Sequence, residues 1–198
     1  MRQARLLSLM ALSLALVSTP VLACGYHNPI DVARGAMNFV YPKSLYVRTA
    51  VWQAQGSGVL PPRQKRPAKD LFAYHRTTAA LRAWGRALGP APDQGSSFSI
   101  VLLDTMLWSR YEFREGGLDA AIHVTGPAAD ETVLVTESAV IFALNDGTID
   151  YNAAEARGLI RLYGPKDQME KTRAFLRGLP AGAGASALHE SRSGRLVR

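Results

Sequence analysis

The part of this chain that most constrains its fold is the stretch 132–164, TVLVTESAVIFALNDGTIDYNAAEARGLIRLYG. It begins with a short apolar run, which predicts a strand. Two short helices are predicted next, the first ended by the glycine of Asn145-Asp146-Gly147 and the second running from the N-cap Asp150 to Gly158. Residues 159–163 predict a further strand. Four elements with hardly a spare residue between them indicate one compact module.

The rest of the sheet is predicted from residues 97–125. Residues 97–114 give the longest strand signal, and its first half is apolar on both faces. Such a strand is covered on both sides, or it lines a cavity on one of them. A hairpin turn is predicted at 115–117 and a returning strand at 118–125. Together with the apolar run that begins at residue 132, these make three consecutive antiparallel strands. We therefore expect an α+β domain, with an antiparallel sheet of four to five strands packed against helices.

Helices are predicted before and after these strands in the sequence. Pro29 starts a first helix, which Pro42 interrupts, and residues 44–55 form a second helix unless their partial alternation makes them a strand. These two pieces make an N-terminal helical arm that must pack on the main body or on a partner. A helix at 166–177 closes the fold. A stronger helix, 71–88, carries on one side Leu71, Tyr74, Thr78, Leu81 and Leu88.

The first 23 residues have the pattern of a secretory signal peptide. Two arginines precede an apolar run at 6–17, and Val21-Leu22-Ala23 suits a cleavage site. The apolar run is shorter than the roughly 20 residues that a spanning helix needs. Cleavage there would make Cys24, the only cysteine, the first residue of the mature chain, which therefore forms no intramolecular disulfide.

Residues 21–24 resemble the lipobox of bacterial lipoproteins, although Leu22 is bulkier than the usual residue. The resemblance implies lipidation of Cys24 and a membrane anchor. Gly25 carries no inner-membrane retention signal, so the expected location is the periplasm, on the outer membrane of a Gram-negative bacterium. Ordinary cleavage that leaves a free thiol is the alternative.

The chain is expected to divide into a signal peptide (1–23), a helical arm with a basic Pro/Gly linker (24–69), the α+β domain (70–177) and a disordered tail (178–198). The net charge is +7, and the linker concentrates much of it at Arg63, Lys65, Arg66 and Lys69. A nucleic-acid-binding protein would spread bases over one face with aromatic residues between them, so we expect no nucleic acid partner. We expect a soluble linker, and attraction to anionic lipid headgroups is the alternative.

The order of predicted elements from residue 70 to 177 is similar to the sterol carrier protein type-two family. The specific part is narrow, and it comprises Thr136-Glu137-Ser138-Ala139, Asn145-Asp146-Gly147, Asp150-Tyr151, Gly158 and the strand that closes on Gly164. The resemblance implies a hydrophobic tunnel between sheet and helices that carries a lipid or another apolar molecule. The arm has no counterpart in that family, whose well-known members are not exported.

Candidate ligand-lining side chains are the large apolar residues of the long strand and of the helix after it. Ordinary core packing is the alternative for each of them. Asp104 interrupts the apolar strand; if it is buried, it must be paired or have a raised pKa, and otherwise it marks a strand end. The lining candidates are Leu103, Met106, Trp108, Tyr111, Phe113, Ile141 and Phe142.

No catalytic residue, metal site or cofactor is predicted. His27 lies three residues after Cys24, but no second pair completes four-coordination. His75 and His123 are expected to be surface or boundary residues. We expect a non-catalytic protein that binds a lipid or another hydrophobic small molecule. The alternative is a periplasmic interaction module with a filled core, which docks on a protein partner through residues 28–55.

Overall fold

The structure is a computed structural model that describes residues 29–63, 71–89, 97–114 and 117–178. Several predicted features lie outside these described residues: the signal peptide, Cys24, His27, most of the basic linker, the hairpin positions Glu115 and Gly116, and the tail beyond Gly178. No helix in the described ranges combines the length and the apolar character that crossing a membrane requires.

The structure confirms the predicted α+β class, with a five-stranded sheet packed against helices and two helices at the N-terminal end. The elements within the described ranges are, in order, α1 (Pro29–Val40), α2 (Leu45–Gly56), α3 (Leu71–Ala87), β1 (Ser97–Leu102), β2 (Leu107–Arg114), β3 (Gly117–Ile122), β4 (Thr132–Thr136), α4 (Ser138–Asp146), α5 (Tyr151–Ala156), β5 (Arg161–Tyr163) and α6 (Lys166–Arg177).

The sheet has the order β3-β2-β1-β4-β5. Three of its pairings are antiparallel, as expected, but β1 and β4 run parallel. After β3 the chain returns across the sheet, which places β4 on the side of β1 away from β2. All five residues of β4 are buried, and so are five of the six in β1, which suits two central strands covered on both faces.

The single long strand expected at 97–114 is wrong. The structure has two antiparallel strands, in which Leu102 pairs with Leu107, joined by a turn at residues 103–106. Asp104 and Thr105, the polar break in the apolar run, lie in that turn. Because the chain reverses direction at this turn, side chains of the two strands share a face when their residues are paired. Phe98 and Tyr111 are such a pair and lie on the same face of the sheet.

One face of the sheet is covered by α3 and α4. The Tyr111 hydroxyl donates to the carbonyl of Leu81 at 2.9 Å, and Asn145 Nδ2 donates to the carbonyl of Ala80 at 2.9 Å. A Cβ atom on Gly85 would lie only 2.9 Å from the Tyr111 ring. The glycine therefore allows α3 to lie directly on the strand.

The N-terminal helices pack on the main body. Tyr41, in the turn after α1, contacts Trp108 and Tyr163 on the other face of the sheet, with ring centroids 6.3 and 5.2 Å apart, and the Tyr163 hydroxyl donates to the carbonyl of Pro42. Residues 45–56 are helical, and Val47 and Val51 are fully buried in the same core as the strands.

The compact stretch 132–164 folds much as its sequence predicts. Asp150 accepts a hydrogen bond from the backbone N–H of Ala153 at 2.7 Å and so caps α5. Gly147 and Gly158 follow their helices with φ values of +78° and +71°. The last strand is shorter than predicted and begins at Arg161, after two buried residues.

Candidate functional site

An aromatic cluster occupies the sheet face under α3. Phe98 stacks on Tyr111 with ring centroids 5.1 Å apart, and Trp84 of α3 packs edge-on against both rings. Burial raises the pKa of the Tyr111 phenol, which therefore stays neutral and donates a hydrogen bond to the carbonyl of Leu81. Phe113 extends the cluster to Phe175 of α6, with centroids 4.9 Å apart. The centre of this face is filled by rings.

The first turn of α3 differs from the rest of the helix. Leu71, Phe72 and Tyr74 are 75%, 80% and 43% exposed, whereas Leu81 and Trp84 are buried. The sequence places Leu71, Tyr74 and Leu81 on one side of the helix, and only the later part of that side is buried, because the apolar side of the helix extends beyond the part that covers the sheet.

The exposed turn lies near the end of β3. The Tyr74 ring lies 6.5 Å from that of His123, the residue after β3, and Ile122 beside it is half-buried. Leu118 and Ala120, further along the same strand, are also half-buried. The exposed helix turn and the half-buried apolar residues of β3 thus lie on either side of the Tyr74–His123 contact. We call Leu71, Phe72, Tyr74 and Ile122 the α3 rim.

The structure separates the seven predicted lining residues. Tyr111 and Phe113 lie on the α3 face with Phe98, and Trp108 lies on the opposite face against Tyr41. The other four are in the β1–β2 turn or in α4. Leu103, Tyr111 and Ile141 are fully buried, and Met106, Trp108, Phe113 and Phe142 are half-buried. Their role in binding a ligand stays a prediction.

Asp104 has a structural partner. It is half-buried in the turn between β1 and β2, and its Oδ1 accepts from the backbone N–H of Ser138 at 3.1 Å. This carboxylate thus caps the N-terminus of α4, where negative charge is favoured by the helix dipole.

A second carboxyl group in the same place is more strongly perturbed. Glu137 is only 6% exposed, and burial, reinforced by the negative charge of Asp104, raises its pKa to about 7. Arg48, Arg34 and Arg63 oppose that rise. Arg48 of α2 donates to Glu137 Oε1 at 3.4 Å, and Arg34 of α1 donates to the carbonyls of Leu103 and Asp104.

This polar cluster ties both N-terminal helices to the β1–β2 turn and to the start of α4. Reasoning from the sequence missed it, because Arg34 and Arg48 were given no role there and Glu137 was named only within the motif Thr136-Glu137-Ser138-Ala139. One signal was present: Arg34 lies one helical turn before Met37, on the inward side of α1.

The described histidines and acids are spread over several parts of the fold. Within the four described ranges, His, Cys, Asp and Glu side chains form no group of three or more that could hold a metal ion. His123 is exposed, as expected for a surface residue. Glu131 is buried and is held by Ser99 Oγ at 2.6 Å and by Arg110.

Comparison with known proteins gives structural likenesses only. No family model matches the chain, and no curated protein matches it significantly. Part of the chain is similar to an inverting sec-alkylsulfatase from a Pseudomonas species, at 17% identity over 52% of this chain, with a TM-score of 0.34. The overlay spans 14% of the sulfatase.

Two smaller solved proteins are similar over most or all of their own length. One is a ubiquinone synthesis protein, UbiJ-SCP2, at 16% identity over 53% of this chain and 96% of that protein, with a TM-score of 0.38. The other is a sterol carrier protein 2, at 14% identity over 56% of this chain and 100% of that protein, with a TM-score of 0.35. At these identities and TM-scores the overlays carry no conclusion about activity or ligand.

Proposed function

We propose that this protein binds a lipid or another hydrophobic small molecule without altering it chemically. The α3 rim is the observation that carries the proposal. One part of α3 is packed on the sheet, and its first turn presents three large apolar side chains to water beside the half-buried Ile122. Contiguous exposed apolar surface of this kind typically marks a binding site.

The bound molecule would lie along the β3 edge and enter at the first turn of α3. Each leucine or phenylalanine side chain that it removes from water contributes about 1.5–3 kcal/mol when coverage is complete. The filled cluster around Tyr111 would form the floor of the site. His123 and Tyr74 would supply the polar atoms at its opening, because their rings lie next to each other there.

The proposal includes export and attachment to the outer membrane through Cys24, which the sequence of residues 1–24 supports. Expression in a Gram-negative host, fractionation and intact-mass analysis test this part. A lipid-modified Cys24 in the membrane fraction, with a Cys24→Ser variant released to the soluble fraction, is the expected result. An unmodified thiol in the soluble fraction would contradict it.

Binding is tested with a fluorescent fatty acid added to the full chain. We expect saturable binding that the double variant Leu71→Ser/Phe72→Ser weakens by about tenfold or more, since it removes two apolar side chains from the rim. The matched control is Phe39→Ser/Trp52→Ser, which alters two exposed apolar residues on α1 and α2. Equal binding by all three proteins, or none by any, would contradict the proposed site.

A second candidate function is a non-catalytic interaction module with a filled core. The stacking of Phe98 on Tyr111 and the edge-on packing of Trp84 favour it, because these rings occupy the central space under α3. It predicts that no apolar molecule binds and that a protein partner depends on residues 28–55. The fatty-acid titration separates the two candidates.

A further inference from the structure

The two N-terminal helices expose large apolar side chains that the fold does not use. In α1, Phe39 is 91% exposed, and Val32 and Val40 share its side of the helix at the spacing i, i+7 and i+8. In α2, Tyr46 and Trp52 point outward. Together with the exposed Lys43 of the turn between the helices, these residues form what we call the corner surface: Val32, Phe39, Val40, Lys43, Tyr46 and Trp52.

The inward side of both helices is already occupied. Met37 of α1 and Val47, Val51 and Ala54 of α2 are buried in the core shared with the strands. The corner surface therefore faces away from the body. Because its side chains add nothing to that core, their apolar character calls for another explanation.

Trp52 is held in place within this surface. The guanidinium of Arg48 lies over its ring, 5.1 Å from the ring centroid, and the same arginine pairs with Glu137. The indole is thus oriented by a contact that reaches the core. A fixed aromatic ring loses less entropy on docking than a freely rotating one.

The sequence that carries the corner surface has charged residues of one sign. Residues 32–69 contain seven lysines and arginines and no aspartate or glutamate. Lys43 and Arg63 are exposed, and Lys65, Arg66 and Lys69 follow in the sequence. Arg34 and Arg48 bind groups of the main body, whereas Lys43 and Arg63 remain exposed. A surface that combines aromatic side chains with exposed positive charge matches the headgroup region of an anionic bilayer, where Trp and Tyr accumulate and basic residues are attracted.

We propose that the corner surface docks on an anionic lipid bilayer, with Phe39 and Trp52 at the depth of the headgroups and the basic side chains beside the phosphates. A second copy of the chain is a poorer occupant, because it would bring two basic surfaces together. The docking needs neither the proposed ligand site nor lipidation of Cys24.

The test uses the full chain with Cys24→Ser and a single new cysteine that carries an environment-sensitive dye. Gln53→Cys places the dye on the exposed side of α2, and Lys171→Cys places it on the exposed side of α6 as a control. The vesicles are phosphatidylcholine with about one-third phosphatidylglycerol, compared with phosphatidylcholine alone. Because residues 6–17 are apolar, sedimentation alone is insufficient and the dye at position 53 is the deciding signal.

With anionic vesicles, we expect a blue shift at position 53 but not at 171, and the shift should weaken as salt is added. Phe39→Ser/Trp52→Ser should reduce the vesicle affinity read at position 53 by about tenfold or more, and Lys43→Glu/Arg63→Glu should do the same at low salt. Leu71→Ser/Phe72→Ser should leave it unchanged, so failure here is distinct from failure of the ligand site.

An equal shift at both dye positions, or equal affinity for the two vesicle types, would overturn the proposal. A blue shift at position 53 that is present without lipid and disappears when the protein is diluted would also overturn it. That result would identify a second copy of the chain as the occupant. If the dye at position 53 responded saturably to an acidic protein and did not respond to vesicles, the proposal would be overturned in favour of a protein partner.

Discussion

At the scale of single residues, Glu137 makes the stability of the fold depend on pH. Its pKa rises from an ordinary 4.5 to about 7 in the folded chain, mainly through burial and then through Asp104. The folded state therefore holds this proton more tightly than the unfolded state does. The contribution is fully present below about pH 4.5 and is lost as the pH rises through about 7.

We predict that Glu137→Gln removes this loss. Between pH 4.5 and 8, the parent protein should lose about 2–3 kcal/mol more of its free energy of unfolding than the variant, because glutamine cannot ionise. Urea denaturation at several pH values measures the difference. Glu170→Gln, at an exposed position of α6, is the control, and parallel pH profiles for parent and Glu137→Gln would refute the assignment.

Two helical glycines, Gly85 and Gly35, differ in the space around them. Both lie in helices, but a Cβ on Gly85 would meet the Tyr111 ring at 2.9 Å, and one on Gly35 would meet nothing within 4 Å. Gly85→Ala should lower the free energy of unfolding by about 1 kcal/mol or more, since overpacking exceeds the gain in helix propensity. Gly35→Ala should raise it by roughly 0.5–1 kcal/mol. Thermal denaturation decides, and the same sign for both would contradict this packing.

At the scale of elements, the first turn of α3 should matter for binding and not for folding. Leu71→Ser/Phe72→Ser changes side chains that are 75% and 80% exposed, so the free energy of unfolding should change by less than about 0.5 kcal/mol. Fatty-acid affinity should fall in the same variant. A large loss of stability, measured by urea denaturation, would show that the turn is part of the core.

The β1–β2 hairpin shows where sequence patterns stop being sufficient. Residues on both sides of the turn are apolar, so the periodicity continues through it, and only Asp104 and Thr105 mark the break. A turn of four residues changes which strand positions share a face. In one continuous strand Phe98 and Tyr111 would lie on opposite faces, but across the hairpin their two rings stack.

At the scale of the whole molecule, the N-terminal helices complete the core. They cover the sheet face that carries Trp108 and Tyr163, and the buried Val47 and Val51 belong to the same cluster as the strands. Deletion of residues 29–63 should therefore abolish cooperative unfolding and expose apolar surface to the dye ANS. A deletion variant that still unfolds cooperatively, with unchanged near-ultraviolet circular dichroism, would show that these helices are dispensable.

Local signals predicted more of this fold than of its site. The caps and glycines of the stretch 132–164 and the bounds of α6 follow from sequence because each depends on neighbouring residues. The parallel pairing of β1 with β4 depends on how the chain crosses the sheet after β3. The polar cluster joins Arg34 to Asp104, 70 positions away, and Arg48 to Glu137, 89 positions away. Neither has a local pattern.

The central claim is that the α3 rim binds a hydrophobic molecule, and native mass spectrometry of the full chain, purified without detergent and then mixed with a long-chain fatty acid, tests it most directly. We predict a species one ligand heavier than the chain that is lost in Leu71→Ser/Phe72→Ser and kept in Phe39→Ser/Trp52→Ser. Only the mass of the unliganded chain, at fatty-acid concentrations that fill ordinary lipid-binding proteins, would contradict the account.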